Sequence, residues 1–395
     1  MKTIEAPTRA ELVGRATDLI PLIRSHAEWQ EEHRVMHEET LKALVDAGLH
    51  KMRLATRYGG YESDMGTVTD VITALSRGDG STGWIASVWN ISGWLAGLFP
   101  DHVQDEIFAD PDTRVCGSVG PNGIAAPTEG GVILNGKWHF MTAAQQSQWM
   151  AHACLLPTDD GGFLPGLVAV KTEDLTIIDD WYTSGIRGSG SVTTVAENLF
   201  VPQERVLNMI PVLTQGQFPS ERNADSPLWR GAPFLPGASA VASAVPYGIA
   251  QAAREAFFEQ LPDHTISYTN YEHQADAAVT HLQAAEATTK VDEAGFHVQR
   301  AAERVDDKAL TGDPWTLEDR VIARMDMGAT CARAKEAVDI YTSASGASGV
   351  YSSKPMQRLE RDVQTMNLHG LMQPNTNAEL YGRVLCGLEP NTNFL

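Results

Sequence analysis

The sequence predicts an α+β fold in three consecutive zones: an N-terminal helical domain (1–115), a middle β domain (116–215) and a C-terminal helical bundle with a tail (216–395). Three observations carry this. Apolar residues recur at helical spacing in the first zone. The second switches to short β-prone runs punctuated by glycine. The third returns to long stretches nearly free of proline and glycine. At 395 residues, with 43% hydrophobic and 20% charged, the chain can bury a sizeable core without a disulfide or metal staple.

In the first zone, Leu12, Ala16, Leu19 and Ile20 place one apolar face on a helix over Thr8–His26. Leu41, Leu44 and Val45 do the same over Glu38–Ala47, with Gly48 as C-cap. After the Tyr58-Gly59-Gly60-Tyr61 turn come helices over Thr67–Leu75 and Gly83–Leu98. The second of these is apolar nearly all round and should be buried. In the middle zone Asn135-Gly136 separates Val132-Ile133-Leu134 from Lys137–Met141, which predicts a two-residue hairpin. Leu167–Val170, Leu175–Ile178 and Val192–Phe200 read as further strands. Proline and glycine make 216–240 a joint, and helices resume from Ala240 to Tyr381, notably Val279–Val305 and Leu317–Ser343.

Composition excludes several function classes. The net charge of −20, from 30 basic and 50 acidic residues, disfavours nucleic acid. No apolar run reaches the length of a membrane span, and the N-terminus lacks a signal-peptide core, so a cytoplasmic protein is expected. Cys116, Cys154, Cys331 and Cys386 are scattered, without a CxxC pair, and read as reduced thiols. The 12 histidines show no metal-ligand spacing, so no metal is expected. GxGxxG after a strand, GxxxxGK[ST], HExxH and GxSxG are all absent, which sets aside Rossmann dinucleotide enzymes, P-loop kinases, zincins and nucleophile-elbow hydrolases.

Five stretches resemble the acyl-CoA dehydrogenase superfamily, in particular its flavin-dependent monooxygenase branch. They are Leu44–Leu49 with Tyr58-Gly59-Gly60; Gly80–Trp84; Gly136-Lys137-Trp138 through Thr142 to Trp149; Gly185–Ser191 running to Phe200–Val206; and Arg361-Asp362-Val363 through His369 to Tyr381-Gly382-Arg383. The resemblance implies a C-terminal four-helix bundle, a homotetramer and the oxygenase half of a two-component system. Such a protein takes reduced FMN or reduced FAD from a separate NAD(P)H-dependent flavin reductase, forms a C4a-hydroperoxyflavin with O2, and hydroxylates an aromatic or polyketide-like small molecule. The alternative is N-oxygenation of an amino sugar nucleotide, with Arg222 and Arg230 as candidate cations at the pocket mouth. Acyl-CoA dehydrogenation is disfavoured, because Gln373-Pro374-Asn375-Thr376 stands where dehydrogenases commonly carry a glutamate base.

The same resemblance assigns candidate roles. Thr142 and His369 are the catalytic candidates: a hydroxyl beside the flavin, and an imidazole whose pKa near operating pH suits a base. Trp84, Thr142, Arg187, Ser189 and Ser191 are implied to meet the flavin. Trp89, Ser92 and Phe140 are the substrate-binding candidates, with Trp84, Trp89 and Trp94 as dry walls. Ser92 lies where phenol-hydroxylating relatives can carry a second histidine. Met141 and Ala143 depart from the serine and glycine usual around Thr142. Tyr268, Tyr271, Gln274 and His281 are candidates to reach a site across a subunit contact.

Overall fold

Thr8 begins the first helix through a capping box: its hydroxyl accepts from the Glu11 N–H while the Glu11 carboxylate accepts from the Thr8 N–H at 2.7 Å. The computed structural model describes residues 6–231 and 233–395. Helix α1 (Arg9–His33) outruns the expected end at His26 and stops at Arg34, in left-handed backbone at φ 59°. Then follow α2 (Glu38–Asp46), α3 (Met65–Gly78), α4 (Gly80–Ala96) and a short α5 (Asp101–Ile107) that periodicity did not reveal. Asp64 caps α3 and Asp79 caps α4, each accepting from a backbone N–H three residues on. Helix α4 is buried almost throughout, as its composition predicts.

The middle zone folds into one eight-stranded sheet. Its strands are β1 (Val115–Ser118), β2 (Gly123–Thr128), β3 (Gly131–Met141), β4 (Trp149–Pro157), β5 (Phe163–Lys171), β6 (Thr176–Ile178), β7 (Val192–Pro202) and β8 (Val206–Asn208). The order is β6-β7-β3-β2-β4-β5-β8, with β1 parallel to β4. The hairpin expected at Asn135-Gly136 does not form. β3 runs straight through that dipeptide, and the turn falls at Glu129-Gly130, between β2 and β3. Asn135-Gly136 instead makes a register break against β7: the Asn135 side chain accepts from the Asn198 N–H at 2.8 Å, and Gly136 lies against the Trp138 ring where a Cβ would collide. The dipeptide supplies close approach here, not a reversal.

After α6 (Met209–Gln215), the bundle is built from α7 (Phe234–Gln260), α8 (Ala278–Thr311), α9 (Leu317–Ala344) and α10 (Pro355–Asn367), followed by α11 (Pro374–Leu385). α7, α8 and α9 pack on one another, and α10 closes against α7 and α9. α7 starts at Phe234, inside the stretch expected to be a joint. Both α7 and α9 are rich in buried alanine, which lets packed helices approach closely (Ala240, Ala244 and Ala253 on α7, Ala334 and Ala337 on α9). No described helix is long and apolar enough to cross a membrane. All four cysteines are free thiols, and burial pushes Cys116, Cys154 and Cys331 up to about 12, which leaves them inert.

Candidate active site

The site is assembled where α4, the end of β3, the loop 186–191 and the α10–α11 turn converge. Only three residues of α4 between its first turn and Leu95 escape full burial: Trp84, Val88 and Ile91. Their spacing of four and three places them on one helix face, so the helix offers a single open stripe. Ile91 and Leu371 each pack against both hydrophobic cores of the molecule, which places the end of the stripe at the seam between them.

Polar chemistry begins at Trp84. Its indole Nε1–H donates to Thr142 Oγ at 2.9 Å, Thr142 pairs with Ser191 Oγ at 2.7 Å, and Ser191 pairs with Ser189 Oγ at 2.7 Å. The three hydroxyls are buried, so this is an enclosed relay running from α4 across the sheet to the glycine-rich loop. The backbone around it is strained: Phe140 (φ 62°), Ala143 (φ 62°) and Ile186 (φ 51°) all sit in the left-handed region without being glycine. Such strain persists where the surroundings over-determine it, and it concentrates at functional sites.

His369 lies in the turn after α10, and its ring meets the Trp84 ring edge-on, centroids 5.3 Å apart. Nδ1 accepts from the Leu371 N–H at 3.3 Å. A neutral imidazole that accepts at Nδ1 carries its proton on Nε2. Desolvation pushes the pKa down to about 4. This corrects the expectation of a base titrating near neutrality. His369 is neutral at pH 7, and the group it has free is an Nε2–H donor.

The other candidates divide. Arg187 is half-buried, and its Nε has no partner among the described residues. Trp89 does not line the stripe: it is 1% exposed, turned toward the sheet, and donates to Ser147 Oγ at 3.1 Å. Trp94 likewise donates to the Leu228 carbonyl and stacks on Phe234, so Trp84 alone of the three tryptophans faces the stripe. Ser92 is buried, turned by about 100° from Ile91 around the helix. Phe140 is 71% exposed, edge-on to Trp181, and is not enclosed. Gln274 is held in its own bundle by a bond to the Ala344 carbonyl, whereas Tyr268 and Tyr271 are exposed. Arg222 is committed to Asp105 (2.7 Å) and Asp101, and Arg230 bonds the Ala309 carbonyl.

Two features escaped sequence reasoning. Asp79 and Asp362 are both buried, next to each other beneath the site. Asp79 caps α4 and accepts from Gln30 and Thr82, while Asp362 accepts from the Ile186 N–H at 2.5 Å and so fixes the strained start of the loop. Burial, then the charge of Asp79, pushes Asp362 up to about 7. The Arg361-Asp362 pair was visible as a motif, but its partner 283 positions earlier was not. The second feature is a surface cluster in which His26, His37 and Glu39 bring one potential ligand atom each within 4.8 Å. The two imidazoles are stacked at 3.8 Å and 17°, so their in-plane lone pairs do not converge on one ion as they stand.

A relay of hydroxyls and an indole N–H, a neutral imidazole donor and an apolar helix stripe lie together at this junction. The comparisons name the class. The models "Acyl-CoA dehydrogenase, N-terminal domain" and "Acyl-CoA dehydrogenase, C-terminal domain" match residues 21–105 and 240–374. The structure of XiaF from Streptomyces sp., in complex with FADH2 and glycerol, has a TM-score of 0.90 at 30% identity and covers 97% of both chains. The HsaA monooxygenase of Mycobacterium tuberculosis has a TM-score of 0.90 at 26% identity, over 98% of this chain and 100% of that one. The oxygenase component of the FADH2-dependent resorcinol hydroxylase of Rhizobium sp. is 28% identical, over 97% of this chain and 96% of its own length. The chain belongs to the acyl-CoA dehydrogenase family, and within it to the flavin-dependent oxygenase components. It is a monooxygenase that works with reduced flavin and O2.

Proposed function

We propose that this chain hydroxylates an aromatic or polyketide-like small molecule at the Trp84–His369 end of the α4 stripe, with flavin reduced by a separate NAD(P)H-dependent reductase. The observation that carries the reading is the continuous Trp84–Thr142–Ser191–Ser189 relay beside a neutral His369.

Two features of the residues support a fit to the cofactor: a buried Arg187 Nε without a partner among the described residues, and a hydroxyl relay whose two internal bonds use two of its three protons and leave one donor for a polar ring edge. Trp84, Thr142, Arg187, Ser189 and Ser191 would hold it. Reduced flavin supplies the two electrons that let O2 place one oxygen atom on the substrate and release the other as water. The protein's part is positioning, proton control and exclusion of water. Thr142 Oγ accepts from Trp84 and exchanges a proton with Ser191, so it can orient toward a donor or an acceptor without a buried charge. His369 Nε2–H would donate to a substrate oxygen and so hold the substrate in place, with no proton removed at this step. Trp84, Val88 and Ile91 keep the path dry.

Acyl-CoA oxidation is disfavoured by the C-terminal position: Gln373, not a carboxylate, stands there and caps α11, its Oε1 accepting from the Thr376 N–H at 2.8 Å. The pairing of Arg222 with Asp105 and Asp101 occupies one of the two cations considered for a sugar nucleotide, which favours hydroxylation over N-oxygenation. Exposed Leu282, Phe296 and Leu310, at 14-residue spacing along α8, support assembly into a homotetramer. The free cysteines support residence in the reducing cytoplasm.

The test is anaerobic titration with reduced FAD and reduced FMN, then admission of 18O2 with a panel of phenols. One labelled oxygen in the product, and no NADH consumption without added reductase, is the expected result. Steady NADH oxidation by the protein alone, or turnover of an acyl-CoA with an artificial acceptor, would overturn the reading.

A further inference from the structure

Ile186 is a β-branched residue in left-handed backbone (φ 51°), and its peptide groups are gripped from two sides. Its N–H donates to Asp362 Oδ1 at 2.5 Å. Its carbonyl accepts from Trp181 Nε1 at 3.1 Å and from the Ser189 N–H at 3.2 Å. Helix α10 fastens the residues just before it as well. Arg361 Nη1 donates to the Ser184 carbonyl at 2.6 Å, and a Cβ on Gly185 would lie 2.1 Å from the Arg361 carbonyl oxygen. A β-branched residue avoids this backbone unless its surroundings impose it. Here α10 and Trp181 impose it, and the turn that results carries Arg187 and then Ser189, the end of the hydroxyl relay.

Asp362 also faces the start of α4. Its Oδ2 lies 3.3 Å from where a Cβ on Gly80 would stand, beside Asp79, the α4 cap. Both acids are 3% exposed. The pair is the common foot of the three parts of the site. From it α4 rises to Trp84, the loop runs to Ser189 and Ser191, and α10 runs toward His369, seven residues on and about 10 Å away at helical rise. Two other charged groups face the pair: Glu31 on α1, itself paired with Arg361, and Arg358 on α10. Burial, and then the charge of Asp79, hold Asp362 neutral up to about pH 7. Burial raises Asp79 too, and Arg358 offsets only part of that. Carboxylates so placed repel once both are ionised, and the repulsion acts on the Ile186 bond and the α4 cap.

We propose that Asp362 is a positioning residue for the reduced flavin: through the Ile186 N–H it fixes the turn that aims Arg187 and Ser189 at the cofactor, and this grip weakens when Asp79 and Asp362 are both ionised. The cofactor's place rests on the oxygenase reading, but the clamp itself needs no flavin.

The experiment uses the full chain and three variants. Asp362→Asn keeps an acceptor for Ile186 but cannot ionise, Asp362→Ala removes the acceptor, and Asp79→Asn keeps the α4 cap without its charge. Anaerobic titration with reduced FAD and reduced FMN at pH 6.5 and 8.5 reads cofactor affinity. Taking each variant against the parent at the same pH cancels the flavin's own ionisation. Between those two pH values the parent should lose about fivefold more affinity than either asparagine variant. At pH 6.5 Asp362→Ala should bind about tenfold more weakly than Asp362→Asn, the loss of one hydrogen bond's worth of order. Amide hydrogen exchange across 184–191 in the flavin-free proteins, at a single pH, reads the clamp directly: faster in Asp362→Ala, restored in Asp362→Asn. Parallel pH profiles in the parent and Asp362→Asn would overturn the proposal. So would an Asp362→Ala that exchanges faster yet binds flavin as Asp362→Asn does, since Asp362 would then serve the fold alone. If Asp362→Ala does not fold, the pH profiles of the two asparagine variants decide. Failure of the parent to bind reduced flavin, with the exchange pattern as expected, would sink the oxygenase reading and leave the clamp standing.

Discussion

Replacing Thr142 by valine tests whether the relay acts on the cofactor or merely ties the sheet to α4. Valine matches the shape, so no cavity forms. Two bonds are lost, from Trp84 Nε1 at 2.9 Å and to Ser191 at 2.7 Å. Ser191 retains Ser189, whereas the indole N–H is left without a partner. An orphaned donor costs roughly 1–3 kcal/mol. Spread over a chain of this length, that corresponds to a fall in melting temperature of roughly 1–4 °C. Thr142→Ser keeps the hydroxyl and loses only a methyl, so it should keep the relay at about 1 kcal/mol of packing. The informative assay is hydrogen peroxide released per hydroxylated product, with reduced flavin supplied chemically. If Thr142 Oγ orders the cofactor edge, Thr142→Val uncouples strongly and Thr142→Ser stays near the parent. A valine variant that melts lower but couples like the parent would refute the catalytic reading and leave Thr142 as a strut.

Three further outcomes are expected. His369→Asn should lower the hydroxylation rate by about 10²-fold or more while leaving flavin affinity intact; because burial holds the imidazole at about 4, the parent's rate profile should show no His369 inflection between pH 6 and 8. The linkage sign agrees: a depressed histidine pKa means stability is lost as pH falls from 6.5 towards 4, and denaturant titrations at pH 4.5 and 7 should show that loss shrinking in His369→Asn. Asp362→Asn mimics the protonated carboxyl and can still accept from Ile186; since the folded pKa is raised to about 7, the parent loses stability as pH rises from about 4 through 7, and the variant should be more stable at pH 8 by roughly 1–3 kcal/mol with a flatter pH slope. An unchanged slope would separate Asp362 from Asp79. Gln373→Glu should remain inactive towards acyl-CoA thioesters, because the new carboxylate would serve as the α11 cap, and turnover would disprove that placement.

By itself the sequence determined the layering of helices, sheet and bundle, since hydrophobic period is a local property and survives any tertiary arrangement. It also pointed to the family through glycine-rich stretches whose backbone demands are local, and it named Trp84, Thr142, Ser189 and Ser191, which the structure joins into one relay. Tertiary packing decided the rest. Asn135-Gly136 reads as a turn, yet the neighbouring strand and the Trp138 ring make it a register break within β3. Trp84 and Trp89 look alike in sequence, and only the surroundings of α4 turn one toward the stripe and the other toward Ser147. His369 was legible as a candidate, but its protonation was not, because desolvation and the Leu371 N–H come from the fold and not from its type. Asp79 with Asp362 lay beyond reach for the same physical reason: the energy of a charge depends on what lies within a few ångströms of it, and sequence distance says almost nothing about that.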